Sequence, residues 1–159
     1  MELKKEVISV YVDNKANVLS RVVNLIGRRG FNIDSLTVSA TNDPEISRIT
    51  IVFEGDTLTL AQIIAQTEKL EVVRSIKTLD SGKSFFRELL MVKVEADKKQ
   101  RREVKEIVDI YRGKIIDLSQ DSMVLELTGS PEKLDAFLEM LAEYKIIDIC
   151  RTGITGIER

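Results

Sequence analysis

Residues 6–12, Glu-Val-Ile-Ser-Val-Tyr-Val, are dense in β-branched and aromatic side chains and predict a strand. After the polar break Asp13-Asn14-Lys15-Ala16-Asn17, the spacing of Val18, Leu19, Val22, Leu25 and Ile26 predicts a helix, with Asn17 as its N-cap and Gly30 closing it. A second strand is predicted from about Asn32 to Ala40, then a turn through Asn42-Asp43-Pro44. Residues 47–54 alternate, placing Ile49, Ile51 and Phe53 on one face and Arg48, Thr50 and Glu54 on the other. Thr59-Leu60-Ala61-Gln62 has the pattern of a capping box before a second helix carrying Ile63, Ile64 and Leu70. Residues 72–78 supply a fourth strand, and the polar run 80–84 reads as a linker.

The same order then returns. Glu88–Ala96 predicts a strand, and 101–111 a helix burying Val104, Ile107, Val108 and Tyr111 that ends at Arg112-Gly113. Strands at 114–118 and 123–127 flank a turn at Gln120-Asp121. Ser130-Pro131 starts a helix lined by Leu134, Phe137, Leu138 and Leu141, and 146–154 gives the last strand. The predicted fold class is α+β: two tandem ferredoxin-like βαββαβ sandwiches, at 1–79 and 84–159, each with two helices on one face of an antiparallel sheet. The repeat is one of element order, not of residue identity.

Composition narrows what such a fold does. The chain is 43% hydrophobic, enough for a folded core, and its net charge of −2 gives no long-range pull toward nucleic acid or anionic membrane. The one cysteine, Cys150, cannot close an intrachain disulfide, and no apolar leader or membrane-length stretch is visible, so a cytoplasmic location is expected. There is no histidine, which removes the commonest general base and metal ligand, and a lone Cys without His cannot form a nucleophile pair. Carboxylates such as Glu103, Glu106, Asp109 and Asp117 fall where solvated faces are predicted. Gly27-Arg28-Arg29-Gly30 resembles a phosphate loop, but it follows a helix and lacks the Gly-Lys-Ser/Thr ending. Arginines there complement the helix dipole. Neither a catalytic set nor a metal site is predicted in this chain.

Two binding readings remain. An RNA-recognition module needs outward aromatics on its central strands and a basic surface; here aromatics total 5%, and the third strand offers no outward aromatic pair. The alternative is a small-molecule sensor. The loop 13–17 presents a helix N-terminus, whose free N–H groups suit a carboxylate, while Asn14 and Asn17 offer amides to an ammonium or a carboxylate. Asn32, at the start of the second strand, can approach such a ligand from a neighbouring chain. Asn residues in such loops also serve simply as turn formers and caps.

Several runs together carry a family resemblance: Ile8-Ser9-Val10 through Asn14, Leu19-Ser20-Arg21-Val22, Arg29-Gly30-Phe31-Asn32-Ile33 and Ser35-Leu36-Thr37-Val38. Asp43-Pro44, 47–51, 111–117, 133–137 and Arg151-Thr152-Gly153 continue it. In these runs the chain resembles the acetolactate synthase (acetohydroxyacid synthase) small subunits along essentially its whole length. That resemblance implies a non-catalytic regulatory subunit that activates a thiamine-dependent large subunit and confers feedback inhibition by valine or another branched-chain amino acid. It implies that 1–79 is an ACT domain, which forms a homodimer and binds the amino acid at the interface. It implies that 84–159 contributes to contact with the catalytic subunit, and that thiamine diphosphate, magnesium and FAD belong to that partner.

Carried over by motif, the effector contacts fall on Asn14, Ala16, Asn17 and Val18 of one copy and on Asn32 and Ile33 of the other. The family commonly has glycine where this chain has Asn17, and Asn tolerates the left-handed backbone better than most residues. The alternative function is a free-standing amino-acid sensor acting on another enzyme or on gene expression.

Overall fold

A computed structural model describes residues 4–159. The element order is β1 (Lys4–Asp13), α1 (Val18–Gly27), β2 (Ile33–Ala40), β3 (Ile46–Gly55), α2 (Thr57–Thr67), β4 (Val73–Thr78), β5 (Ser84–Glu95), α3 (Gln100–Ile110), β6 (Lys114–Leu118), β7 (Ser122–Gly129), α4 (Pro131–Met140), β8 (Ile146–Arg151) and β9 (Thr155–Glu158). Two βαββαβ units therefore follow one another, as the periodicities predict. The chain divides into two compact units, one of the described residues through Phe85 together with Ile154–Arg159, the other Phe86–Gly153.

In the first unit the antiparallel strands run in the order β2-β3-β1-β4. Ile8, Val10 and Val12 of β1 and Ile49, Ile51 and Phe53 of β3 point to one face, as the alternation requires. Val18, Val22 and Ile26, each four residues after the last, form the stripe of α1 that closes onto them, and Ile63 of α2 completes the core.

The other face is not left to solvent. Ser9 (0% exposed), Thr50 (4%) and Val52 (2%) are buried there. Residues 154–159 run over this face. Thr37 Oγ1 donates to the Ile154 carbonyl at 3.1 Å, Arg48 donates to the Gly156 carbonyl, and Lys77 pairs with Glu158. Arg48 is held in place by a 2.9 Å bond from its Nε to Ser9 Oγ and by the Tyr11 ring beneath it.

This placement corrects two expectations. The last strand ends at Arg151, short of Ile154, because Gly153 (φ 86°) turns the chain into β9, which pairs with β5. The six residues after Gly153 group with the first unit, where sequence order had assigned them to the second.

Other boundaries shift for local reasons. α2 starts one turn before the Thr59–Gln62 pattern, because Asp56 is extended and its carboxylate accepts the Thr59 N–H at 2.7 Å. That bond holds the Asp56 carboxyl below its ordinary pKa. The polar segment after β4 is a single turn, closed by Lys83 N–H to the Asp80 carbonyl, and no loose linker.

The second unit has the order β6-β7-β5-β8 and a core of Leu90, Val92 and Val94 from β5, Met123, Leu125 and Leu127 from β7, and Val104, Val108, Leu134 and Phe137 from the helices. Phe137 meets Tyr111 edge-on, with ring centroids 5.4 Å apart. After α3 it is Arg112, not the following glycine, that takes the left-handed conformation (φ 58°). Gly113 serves a different need: a Cβ there would lie 2.9 Å from the Glu126 carbonyl oxygen. Glu88, 6% exposed, accepts from Arg151 Nη2 at 2.6 Å, and Arg151 also donates to Asp135. Partial burial opposes the Arg151 charge, but these carboxylates outweigh it and raise the guanidinium pKa.

Ending the chain at Gly153 should strip the cover from the back of the first sheet and lower its stability by about 2 kcal/mol, read from urea unfolding. Asp56→Ala should lower the thermal midpoint at neutral pH. A carboxyl with a depressed folded pKa contributes stability above its ordinary value and loses it on acidification. The midpoints of parent and variant should therefore converge as pH falls below about 4.

Candidate functional site

The loop between β1 and α1 leaves the sheet beside the turn joining β2 to β3, because β1 and β2 both run antiparallel to β3 and so end at the same edge. That turn grips the loop. The Asn14 backbone N–H donates to the Glu45 carbonyl at 2.8 Å, and its Nδ2 donates to the Pro44 carbonyl at 2.9 Å. The turn is itself braced by Thr41 and Asp43, whose side chains accept the N–H groups of Asp43 and Glu45. One Nδ2 hydrogen is thus used, and among the described residues nothing donates to Asn14 Oδ1, an acceptor suited to an ammonium group.

Asn17 sits at φ 67°, ψ 0°, squarely left-handed, and its side chain makes no capping bond. The expected N-cap is thus a cap by position only. Its carbonyl accepts the Arg21 N–H, so α1 starts normally, but among the described residues no group accepts from the first N–H groups of the helix. The other helix starts differ. Asp56 caps α2, Ser130 caps α4, and Asp97 Oδ1 accepts both the Lys99 and Gln100 N–H groups ahead of α3. At α1 the partial positive charge of the helix end faces outward, between exposed Ala16 and Asn17 and the buried Val18 side chain.

A carboxylate stands close by, at Asp13, but it is already answered. Arg74 Nε lies 2.5 Å from Asp13 Oδ1, and Lys15 Nζ 3.7 Å from Oδ2. The loop therefore carries no uncompensated negative charge to repel an anion. Sequence reasoning missed Asp13, Arg74 and the Pro44–Glu45 carbonyls, since their link to the loop runs through sheet pairing across 30 to 60 residues.

Asn32 and Ile33 lie elsewhere. They follow α1, at the opposite end of its ten residues, or about 15 Å along the helix axis. Asn32 is exposed and Ile33 half-buried, at the start of β2. The six predicted site residues therefore fall into two clusters that one chain does not bring together. β2 is an edge strand, with β3 on one side and, among the described residues of the unit, no strand on the other. Among the described residues no three His, Cys, Asp or Glu side chains gather as metal ligands, and no helix is long and apolar enough to cross a membrane.

Comparison with known proteins covers both units. Residues 8–75 match the family described as the AHAS small subunit-like ACT domain, and residues 87–159 match the family described as the small subunit of acetolactate synthase. A probable acetolactate synthase small subunit of Methanothermobacter thermautotrophicus is 42% identical over 160 residues, covering all of this chain and 95% of that protein. The acetolactate synthase isozyme 3 small subunit of Escherichia coli is 40% identical, covering 98% and 96%. The crystal structure of the acetolactate synthase small subunit from Thermotoga maritima superposes with a TM-score of 0.90 at 37% identity, covering 98% of each chain.

The left-handed backbone at position 17 sets a stability test. Asn17→Gly should leave urea stability within about 0.5 kcal/mol of the parent, whereas Asn17→Ala should cost about 1 kcal/mol, since an L residue with a plain Cβ pays fully for this conformation.

Proposed function

The chain belongs to the acetolactate synthase small-subunit family, and from that premise we propose that two copies join through their first units and hold a branched-chain amino acid between them. A small subunit of this enzyme is regulatory rather than catalytic, and it works with a catalytic large subunit. Thiamine diphosphate, magnesium and FAD are assigned to that large subunit, and the effector is valine or another branched-chain amino acid.

The observation that carries the proposal is the separation of the two clusters along α1 beside an open edge strand. If β2 meets β2 of a second copy antiparallel about a two-fold axis, the start of one β2 comes to the end of the other. The β1–α1 loop stands at that end. The pairing therefore carries Asn32 and Ile33 of one copy toward Asn14–Val18 of the other, twice over, and caps two sheet edges that would otherwise be exposed. The chemistry of each half suits an amino acid. The uncapped N-terminus of α1 takes the carboxylate, Asn14 Oδ1 takes the ammonium, and Ile33 with Val18 supplies an apolar wall for a branched side chain.

The second unit is assigned a share of the contact with the large subunit. Exposed isoleucines on its two edge strands support this: Ile115 and Ile116 on β6, and Ile146, Ile147 and Ile149 on β8. Regulation then follows as linkage. Docking favours an active arrangement of the large subunit, valine at the seam favours another, and each ligand alters the affinity for the other by the same factor.

Calorimetry with valine should show binding to the dimer that Asn32→Ala weakens about tenfold or more, while activation of the large subunit is spared. Unchanged valine affinity would remove Asn32 from the site, and a chain that sediments as a monomer at micromolar concentration would remove the shared site altogether.

A further inference from the structure

Beyond the core stripe of α1 lies a second face of the helix, which borders a cleft of about 620 Å³. Arg21, Asn24, Leu25 and Arg28 line it at positions i, i+3, i+4 and i+7, joined by Arg29 and by Leu70 from the segment after α2. Among the described residues no carboxylate lines this cleft. Some cations of the first unit are answered, Lys5 by Asp34, Lys15 and Arg74 by Asp13 and Lys77 by Glu158, while Lys4, Lys69 and Lys83 stand singly on the surface. Among the described residues, Arg21, Arg28 and Arg29 have no acidic partner, and their guanidinium groups make no hydrogen bond within the chain. The dipole at the end of α1 accounts for Arg28 and Arg29 but not for Arg21, which sits in the first turns of the helix, where a cation is disfavoured.

We infer that this cleft is a docking surface for an acidic face of the catalytic large subunit. The inference rests on the reading of the chain as one part of a two-part enzyme. Three guanidinium forks around the half-buried Leu25 and Leu70 have the makeup of a protein interface, in which arginine is enriched around an apolar centre. The chain as a whole is weakly acidic, with a net charge of −2, so it is not drawn to an acidic partner by its overall field. Orientation must come from a local patch, and this cleft supplies one. Planar guanidinium groups match carboxylates two bonds at a time, which fixes register as well as affinity. The cleft is also distinct from the proposed effector site, since neither Asn14–Val18 nor Asn32–Ile33 lines it.

The test titrates the full chain into purified large subunit and reads the concentration needed for half-maximal synthase activation. The double variant Arg21→Glu, Arg28→Glu should raise that concentration by about tenfold or more, and the matching Arg→Lys pair should fall between it and the parent. Added salt should weaken the parent more than the Glu variant. Both substituted residues are exposed, and the dipole gain of an acid at position 21 offsets its cost at position 28, so thermal melting and valine binding of the free variant should match the parent. Unchanged half-saturation by the Glu pair, with the parent activating normally, overturns the inference. So does pyrophosphate binding to the free parent that the Glu pair abolishes without change in activation, which would assign the cleft to a phosphorylated ligand. A parent chain that fails to bind any large subunit would instead overturn the underlying reading of function.

Discussion

Ten residues of helix stand between the loop at Asn14–Val18 and the strand start at Asn32–Ile33, and no side chain spans a gap of about 15 Å. Within one chain the two halves cannot act on a single small molecule. The length of α1 is in turn set by the sheet it covers, because Val18, Val22 and Ile26 must reach from one end of the core to the other. The same packing that stabilises the unit thus holds the two clusters apart, and the proposed dimer is what would rejoin them. An unpaired β2 edge, an uncapped helix start and a neutralised Asp13 are all features that a self-contained domain has no reason to keep.

Much of the architecture was readable from residue pattern because each core strand and helix announces its own period. Ile49, Ile51 and Phe53 gave the inner face of β3 correctly. What covers the outer face was not legible, since Arg48 and Thr50 are polar, and polarity at alternate positions usually marks water. Residues 154–159, more than 100 positions from Arg48, run over that face, and no local pattern records that partner. Asp56 was missed as the α2 cap for a simpler reason: two candidate starts lay three residues apart, and the extended backbone at Asp56 decided between them.

The site was legible in a different way. Its residues came from likeness to a family, and the structure shows the backbone and the neighbours that hold each one. Asn17 is the clearest case. The backbone conformation there is one that glycine adopts freely, and Asn reaches it without disturbing the helix start. Asn14 is the opposite case, for its role depends on the Pro44 and Glu45 carbonyls that hold it. The charges divide along similar lines. Arg151 and Arg74 are spent on internal carboxylates that hold elements together, while the arginines along α1 are left facing outward.

The segment 154–159 also imposes an order of assembly. Thr37 and Ile154 are 117 residues apart in sequence, yet their bond belongs to the first unit. As the polypeptide emerges from the ribosome, β1 to β4 can collapse early, but the back of their sheet stays wet until residues 154–159 have emerged. The second unit is continuous in sequence and is complete once β8 has emerged at Arg151. The half of the molecule made first is therefore the half completed last, and its open sheet is the surface most exposed to mispairing in the interval.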